Sequence, residues 1–259
     1  MTETTTTPAR TDMVGKALHV VRTIGAGSVE GRTLTEISRD TGYPLSTVHR
    51  LIATLSREGF VELDEPTKRY RIGLTVFGLA QRAAAARGFD GVALPVLRRL
   101  AAETGESALM SVLDGDHQLY LHHVHGPSQV NVIGEPGEGG PLHCTSMGKV
   151  LVAFASTAVR EGLVATLDLQ QIGPNAITDR AAFGDEISRV RELGYAVADE
   201  EHEAGIRAVG VPILASDGTA SVAISVAAPS FRRSRDEIVA MVPALVEAAR
   251  ELAVTLPPR

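Results

Sequence analysis

The stretch Thr33–Gly59 reads T-L-T-E-I-S-R-D-T-G-Y-P-L-S-T-V-H-R-L-I-A-T-L-S-R-E-G, and it predicts two short helices joined by a tight turn. Thr33 and Glu36 form a capping-box pair, in which each side chain satisfies a backbone N–H at the start of a helix. This first helix is predicted over Leu34–Thr41. Gly42 is expected to end it, because glycine adopts the left-handed conformation at little cost.

The second helix is predicted from Ser46 to Glu58, with Ser46 as its N-cap after the helix-breaking Pro44. Its apolar face consists of Val48, Leu51, Ile52 and Leu55. Its polar face consists of Ser46, Thr47, His49, Arg50 and Thr54. Two helices around a glycine corner are typical of a helix-turn-helix motif, whose second helix enters the major groove of DNA. An ordinary helical hairpin with a solvated polar face is the alternative.

The flanking segments favour DNA binding. Val14–Ala26 has a helical stripe of apolar residues and is predicted to pack behind the two helices. Phe60–Leu63 and Arg69–Ile72 are predicted strands of a hairpin, which directly after a recognition helix would be a wing whose basic residues reach phosphates. The residues expected to contact DNA are Thr35, Ser46, Thr47, His49, Arg50, Thr54, Lys68, Arg69 and Arg71.

The composition is that of a soluble globular protein, with 44% hydrophobic and 22% charged residues among 259. Residues 1–72 carry 10 Lys and Arg against 9 Asp and Glu, whereas residues 73–259 carry 15 against 22. The acidic second part is therefore not expected to bind nucleic acid. No membrane-spanning run or signal peptide is visible, and a single cysteine, Cys144, fits a reducing cytoplasm.

The domain organisation follows from changes in periodicity. Residues 1–12 are predicted to be a disordered tail, 13–72 a winged helix-turn-helix domain, and 73–88 an Ala-rich linker helix. The linker face formed by Leu74, Phe77, Ala80 and Ala84 suits pairing with a second copy. Residues 89–259 alternate helices and strands, and Asp-Gly turns predict an antiparallel sheet flanked by helices, hence an α+β fold. Further expected elements are a strand over Val130–Ile133, a Gly/Pro-rich loop over Gly134–Pro141 and a final helix over Arg235–Val254.

The second part contains a candidate anion site at Pro141–Lys149 (P-L-H-C-T-S-M-G-K). A loop rich in glycine runs into a helix capped by hydroxyl residues, where free N–H groups and the helix dipole attract a carboxylate. A plainly capped helix is the alternative. Gly148-Lys149 resembles the end of a phosphate loop, but the glycine spacing is wrong and Val150 replaces the metal-binding Ser or Thr, so a nucleotide site is not expected.

A histidine group leaves a metal-dependent enzyme or metal sensor as the alternative function. Its members are His122, His123, His125 and His143, with Cys144, His202 and the acidic residues Glu200, Glu201 and Glu203 as further candidate ligands. No compact ligand motif accompanies them. A Cys144–His143 nucleophile and base is disfavoured, because adjacent residues on an extended segment point to opposite sides. We therefore expect neither an enzyme nor a bound cofactor. The charged segment Asp199–Arg207 is interpreted, by itself, as a solvated connection.

Three blocks of sequence together resemble the IclR family of bacterial transcriptional regulators. They are T-L-T-E-I-S-R-D-T-G-Y-P-L-S-T-V-H-R-L-I-A-T-L-S-R-E-G-F-V, P-L-H-C-T-S-M-G-K-V-L-V-A, and D-E-E-H-E-A-G-I-R-A-V-G-V-P-I followed by A-I-S-V-A-A-P. The resemblance implies a winged helix-turn-helix, a linker helix and a GAF-like effector domain, assembled as homodimers or tetramers. It also implies a small organic or aromatic acid that alters affinity for operator DNA, with repression favoured over activation.

The same resemblance implies an effector pocket formed by Leu142, Ser146, Met147, Asp199, Ala208, Ser225 and Ala227. This sequence departs from the family pattern in three places. Ala198 replaces a frequent acidic residue, Ala208 a frequent cysteine, and Ala227 a second serine. The pocket is therefore expected to be less polar than those of relatives.

Overall fold

The computed structural model describes residues 12–28, 30–86, 89–128 and 134–256, and the chain divides into two compact units between Ala84 and Ala85. The tail predicted over residues 1–12 lies outside the described residues except for Asp12, which caps the first helix. The strand predicted over Val130–Ile133 also lies outside them. Among the described residues, no helix combines the length and the apolar character needed to cross a bilayer.

The first unit contains three helices: α1 (Met13–Gly25), α2 (Leu34–Thr41) and α3 (Leu45–Arg57). The predicted capping box is present, since the Glu36 N–H donates to Thr33 Oγ1 at 3.3 Å and the Thr33 N–H to Glu36 Oε2 at 2.7 Å. Gly42 follows in the left-handed conformation, with φ of 70°. Their common core consists of Val20, Ile24, Ile37, Val48, Leu51, Ile52 and Val61.

The start of α3 differs from the sequence prediction. Ser46 is not the N-cap; the helix begins one residue earlier, at Leu45, and Pro44 is the cap residue. The N–H groups of Thr47 and Val48 donate to the Pro44 carbonyl at 2.8 and 3.1 Å, so the backbone of Pro44 closes the first turn. Proline suits this position because its fixed φ matches a helix start, and no N–H is needed there.

A small sheet completes the first unit. β2 (Val61–Asp64) pairs antiparallel with β3 (Arg69–Ile72), and β1 (Arg32–Thr33) pairs with the other edge of β3. The predicted wing hairpin is therefore confirmed. α4 (Leu74–Ala86) follows it directly.

In the second unit, a π-helical turn (Phe89–Ala93) leads into α5 (Leu94–Thr104). Within the described residues the sheet has six strands in the order β6-β5-β4-β9-β8-β7, and every neighbouring pair is antiparallel. The predicted α+β fold with an antiparallel sheet is confirmed. The strands are β4 (Ser107–Asp114), β5 (His117–Val124), β6 (Gly139–Pro141), β7 (Ala196–Asp199), β8 (Ile206–Ile213) and β9 (Val222–Pro229). The remaining helices are α6 (Ser146–Ala153), α7 (Thr157–Thr166), α8 (Arg180–Leu193), α9 (Arg235–Val239) and α10 (Val242–Thr255).

Helices cover both faces of this sheet. On one face, the buried side chains of α5, α9 and α10 pack against large aliphatic residues such as Met110, Ile224 and Val226. On the other face, α6, α7 and α8 contribute Leu151, Leu163, Phe183 and neighbouring apolar residues to a second core. The two cores lie on opposite faces because successive strand residues point to opposite sides.

Two predictions for this unit were wrong in part. The final helix is interrupted after Val239 and resumes at Val242, because Pro243 cannot donate an N–H to a preceding turn and therefore sits in the first turn of a new helix. The loop predicted over Gly134–Pro141 ends in the short strand β6, which pairs with the first residues of β5.

Candidate nucleic-acid interface and ligand site

The side chains of α3 lie on two sides of the helix, one buried and apolar and the other exposed and polar. Val48, Leu51 and Ile52 are buried in the core of the first unit. The polar residues predicted to contact DNA lie on the outward side, where Ser46, His49, Arg50 and Thr54 are exposed and Thr47 is partly buried. Arg50 forms no ion pair with any described residue, so its guanidinium remains available to a phosphate or a base edge.

The basic residues of the wing do not all have the same environment. Arg69 is half-buried, and its Nη1 donates to the Gly31 carbonyl at 2.8 Å and lies 3.4 Å from Glu36 Oε2. Arg69 therefore fixes the hairpin to the start of α2 and is a weaker candidate for DNA contact than the sequence suggested. Lys68 and Arg71 are exposed, although Lys68 pairs with Glu65 and Arg71 with Asp64.

Two residues at helix starts complete this surface. Thr35 is exposed in the first turn of α2, where N–H groups favour an anion such as phosphate. Leu45, the first residue of α3, was missed in the sequence. Its side chain is 48% exposed beside the polar face of α3, where an apolar group can contact a thymine methyl.

The candidate ligand site is built around the start of α6. Thr145 is the N-cap, and its Oγ1 accepts from the Gly148 N–H at 3.0 Å and from Gln118 Nε2 at 2.8 Å. The same hydroxyl donates to the Pro141 carbonyl at 2.9 Å. These bonds hold the start of the helix against β5 and β6, and they confirm the predicted hydroxyl cap.

Two glycines let the backbone approach closely at this point. A Cβ at Gly148 would lie 2.5 Å from the Leu142 backbone, so only glycine lets the preceding turn fold back on α6. A Cβ at Gly210, on β8, would lie 3.0 Å from the Ser146 carbonyl carbon and 3.1 Å from the Met147 nitrogen. The first turn of α6 therefore rests directly on the sheet.

The sheet face beneath α6 consists largely of small residues, in two neighbouring rows that run across the strands. We call it the small-residue face. The near row, under the start of α6, is Ala196, Gly210, Ser225 and Leu109. The far row, two residues along each strand, is Ala198, Ala208, Ala227 and Ser107. The segment Leu142–Met147 lies over this face, and the small side chains of the face fill less of the intervening space than large aliphatic residues would.

The structure brings together six of the seven predicted effector residues. Ala208, Ser225 and Ala227 lie on the small-residue face, and Leu142 and Met147 pack in the same buried cluster as Ala227. Ser146 begins α6 above the near row and is buried. Ser107, in the far row, was missed, although the alternation Ser107, Leu109, Ser111 along β4 places it on this face.

Asp199 is the exception among the predicted effector residues. It pairs with Arg207 across β7 and β8, two residues beyond the Val197–Val209 pair, which belongs to the opposite core. Strand alternation therefore puts Asp199 on the other face of the sheet. There the Arg207 Nε lies 2.6 Å from Asp199 Oδ1, and this ion pair occupies the carboxylate.

The charged segment after Asp199 is not merely solvated, because Glu201 is buried against α6. The Nζ atom of Lys149, which is completely buried, lies 2.8 Å from Glu201 Oε1 and 2.9 Å from Glu186 Oε1. It also donates to the Val197 carbonyl at 2.6 Å. These partners occupy the ammonium of Lys149, so it is not placed to bind a phosphate. Lys149 instead joins α6 to α8 and to β7. Burial raises the pKa of Glu201, and the attraction of Lys149 opposes this shift.

The histidines and the cysteine do not assemble into a metal site. Within the described ranges, no group of three or more His, Cys, Asp and Glu is placed to hold an ion. His123 and His125 have ring centroids 4.2 Å apart, whereas His143 is buried elsewhere with its Nε2 2.9 Å from the Gln170 carbonyl. Burial raises the pKa of the Cys144 thiol to about 12, which disfavours the thiolate that a nucleophile requires.

This burial predicts an unreactive thiol. Native protein at pH 8 is expected to react with a chromogenic aromatic disulfide at least about 1,000-fold more slowly than denatured protein, because a pKa near 12 leaves few thiolates. Denatured chain should release one equivalent of chromophore, since Cys144 is the single cysteine. Complete reaction of the native protein within minutes would contradict the burial of Cys144.

Comparisons with known proteins cover both units. The family models described as "IclR helix-turn-helix domain" and "Bacterial transcriptional regulator IclR C-terminal" match residues 13–65 and 82–254. The chain is 34% identical over 244 residues to the HTH-type transcriptional regulator BhcR of Paracoccus denitrificans, covering 94% of this chain and 87% of that protein. It is 29% identical over 224 residues to the HTH-type transcriptional repressor AllR of Escherichia coli, covering 86% and 83%.

A solved structure extends the similarity to a ligand complex. An IclR homolog complexed with 4-hydroxybenzoate, from Microbacterium hydrocarbonoxydans, matches with a TM-score of 0.82 and 26% identity, covering 94% of this chain and 98% of that one. BhcR and AllR are transcriptional regulators by name, and none of the three names supports the metal-dependent alternative.

Proposed function

Because the chain belongs to the IclR family of bacterial transcriptional regulators, we propose that it binds double-stranded operator DNA through α3 and the wing. A small organic acid bound in the second unit changes its affinity for the operator. The protein acts as a repressor, in line with the name of its relative AllR, and it works in the cytoplasm, where bacterial DNA lies.

The observation that carries the ligand proposal is the position of α6 over the small-residue face. The first N–H groups of a helix have no acceptor within it, and Thr145 Oγ1 satisfies that of Gly148. The N–H groups of Ser146 and Met147 have no acceptor among the described residues. Together with the helix dipole they favour a carboxylate, and the apolar side chains of Leu142 and Met147 suit the rest of a small acid.

The oligomer proposal rests on α4. Its side chains Leu74 and Phe77 are 74% and 62% exposed, and both lie on the face predicted to pair with a second copy. Burying such residues against a copy would remove apolar area from water. A dimer, or a tetramer of two dimers, also presents two α3 helices to two half-sites.

The mechanism is a population shift between dimers with different spacings of their two α3 helices. The acid must bind the DNA-competent and the DNA-incompetent form with different affinity, because a ligand with equal affinity for both shifts nothing. Thermodynamic reciprocity then requires operator DNA to change the affinity for the acid by the same factor.

The direct test uses full-length protein and DNA selected by that protein from a random duplex library. Fluorescence anisotropy would measure the affinity for the selected duplex with and without 4-hydroxybenzoate and a panel of small aliphatic acids. We expect at least one acid to weaken binding about fivefold or more, the lower range of allosteric coupling. If no duplex is enriched over random DNA, or no acid changes the affinity, the proposal fails.

Ser146→Ala is expected to weaken the response to the active acid about tenfold or more, since it removes a hydroxyl at the carboxylate end of the site. Affinity for the duplex without acid should be unchanged. Ser156→Ala is the matched control, because Ser156 also lies at the start of a helix, that of α7, but is exposed and makes no capping hydrogen bond. A normal response curve for Ser146→Ala would count against the assigned site.

A further inference from the structure

The hydroxyl of Ser107 is buried without a hydrogen-bond partner. Ser107 begins β4 and is 1% exposed, and its Oγ contacts no donor or acceptor among the described residues. Nearly all buried hydroxyls in folded proteins are paired, because leaving one unpaired costs free energy. Ser111, two positions beyond Leu109 on the same face, follows the rule by donating to Gln118 Oε1 at 2.9 Å.

The register of the sheet places this hydroxyl at the end of the ligand site. Ser107 pairs with Ala227, and Ala227 pairs with Ala208, so all three side chains point to the small-residue face. The start of α6 lies over Gly210 in the near row, two strands away and two residues along. Three alanines and Ser107 form the far row, and Ser107 is its polar member.

We propose that Ser107 is a specificity-determining residue of the effector site, and that the effector is an acid with a second polar group at its far end. The inference rests on the proposed function, because it assigns the opposite end of the same site. The carboxylate binds the N–H groups at the start of α6, the apolar body lies along the alanines of the far row, and the far hydroxyl, carbonyl or carboxylate pairs with Ser107 Oγ.

The sheet geometry sets the length of this acid. Strands lie about 4.8 Å apart and residues advance about 3.3 Å along a strand, so the backbones of Gly210 and Ser107 are about 12 Å apart. The Met147 nitrogen lies above Gly210, and Ser107 Oγ rises from the same face, so these two polar atoms are also about 12 Å apart. A hydrogen bond of about 3 Å at each end leaves about 6 Å between the two polar ends of the ligand. That span fits a para-substituted aromatic acid or a six-carbon dicarboxylate, and it exceeds the length of a two- or three-carbon acid.

Serine suits this class because its hydroxyl can both donate and accept. A second carboxylate or a hydroxyl at the far end of the ligand would form a hydrogen bond with the unpaired Ser107 Oγ. An acid whose far end is apolar would leave this hydroxyl without a partner. Sites that bury a polar group in this way discriminate strongly against ligands that lack its counterpart. Ser107 is thus expected to reject simple monocarboxylates of the same size.

The test compares matched acids on full-length protein by isothermal titration calorimetry. The pairs are 4-hydroxybenzoate with benzoate, and adipate with hexanoate; only the second polar group differs within each pair. Wild-type protein should bind the bifunctional member of at least one pair about tenfold or more tightly. Ser107→Ala should remove this difference, while its melting temperature without ligand stays equal to or above that of the wild type.

Ser111→Ala is the control variant, because it also removes a hydroxyl from β4 on the same face but breaks an existing hydrogen bond. It should keep the preference for the bifunctional acid and melt at a lower temperature. Retention of the preference in Ser107→Ala would overturn the role of Ser107. Equal binding of both members by the wild type, or binding of neither pair, would overturn the ligand class.

These outcomes are distinct from failure of the proposed function. If a short monocarboxylate shifts affinity for the selected duplex and no bifunctional acid does, the regulator proposal stands and the assignment of Ser107 is wrong. If no acid affects DNA binding, the proposed function itself fails.

Discussion

Lys149→Met is expected to lower the free energy of unfolding by about 3–5 kcal/mol, the cost of breaking a buried ion pair by removing one partner. Lys149 is completely buried, and its ammonium is the cation within reach of the carboxylates of Glu201 and Glu186. Methionine has a similar shape but leaves Glu201, which is 8% exposed, without compensation. The Val197 carbonyl would also lose its donor.

The loss should depend on pH. Burial raises the pKa of Glu201, so the folded state holds this proton more tightly than the unfolded state does. Its protonation therefore favours folding below the ordinary carboxyl pKa, and this contribution disappears as the pH rises through the raised value. Without Lys149 the pKa of Glu201 should rise further, so the variant should be less destabilised at pH 5.5 than at pH 8.

Far-UV circular dichroism during urea denaturation measures this effect; the chain contains no tryptophan for fluorescence. Lys68→Met is the matched control, because the Lys68 side chain is 71% exposed and its loss should change stability little. A loss below about 1 kcal/mol for Lys149→Met at pH 8 would show that water or rearrangement compensates the carboxylates, against the burial seen here.

Arg50→Ala is expected to weaken operator binding by about 100-fold or more while the fold stays intact. A bidentate contact between arginine and a base is worth about 1–3 kcal/mol, and a dimer makes it in both half-sites. Arg50 is exposed on the polar side of α3, opposite the buried Leu51 and Ile52. Its replacement therefore removes no core contact.

Anisotropy with the selected duplex and with a scrambled duplex would separate the two kinds of contact. Loss of preference for the selected duplex indicates a base contact, whereas equal weakening on both with a smaller salt dependence indicates a phosphate contact. Arg57→Ala is the control, because Arg57 lies in the last turn of the same helix and pairs with Glu58. Unchanged affinity of Arg50→Ala would refute its role.

The sequence predicted those features whose causes are local. The capping box at Thr33 needs only a residue three positions later, and it formed as expected. The helix Leu34–Thr41 has the predicted bounds because a cap marks its start and Gly42 marks its end. The start of α3 and the break at Pro243 were wrong, since proline can end one helix and begin another, and the sequence around it does not say which.

The sequence alone did not predict contacts between residues that are far apart in the chain. Lys149 and Glu201 are far apart in the chain, and nothing near either one indicates that they meet inside the protein. Asp199 was assigned to the ligand site from family resemblance, but the register of β7 against β8 decides which face it occupies. The registers of β4 against β9 and of β9 against β8 place Ser107 in the far row, which can be seen only when the strands are aligned side by side.

The unequal faces of the large sheet have a consequence for how such a regulator evolves. Met110, Ile224 and Val226 pack with α5 and α10 on the face opposite the small-residue face. The alanines of the far row take no part in that core, because they point to the other side of the sheet. Exchanging them for larger or polar residues changes the proposed ligand site and leaves the contacts under α5 and α10 in place. If the protein works as proposed, a lineage can thereby acquire a new effector through a few substitutions and keep its operator.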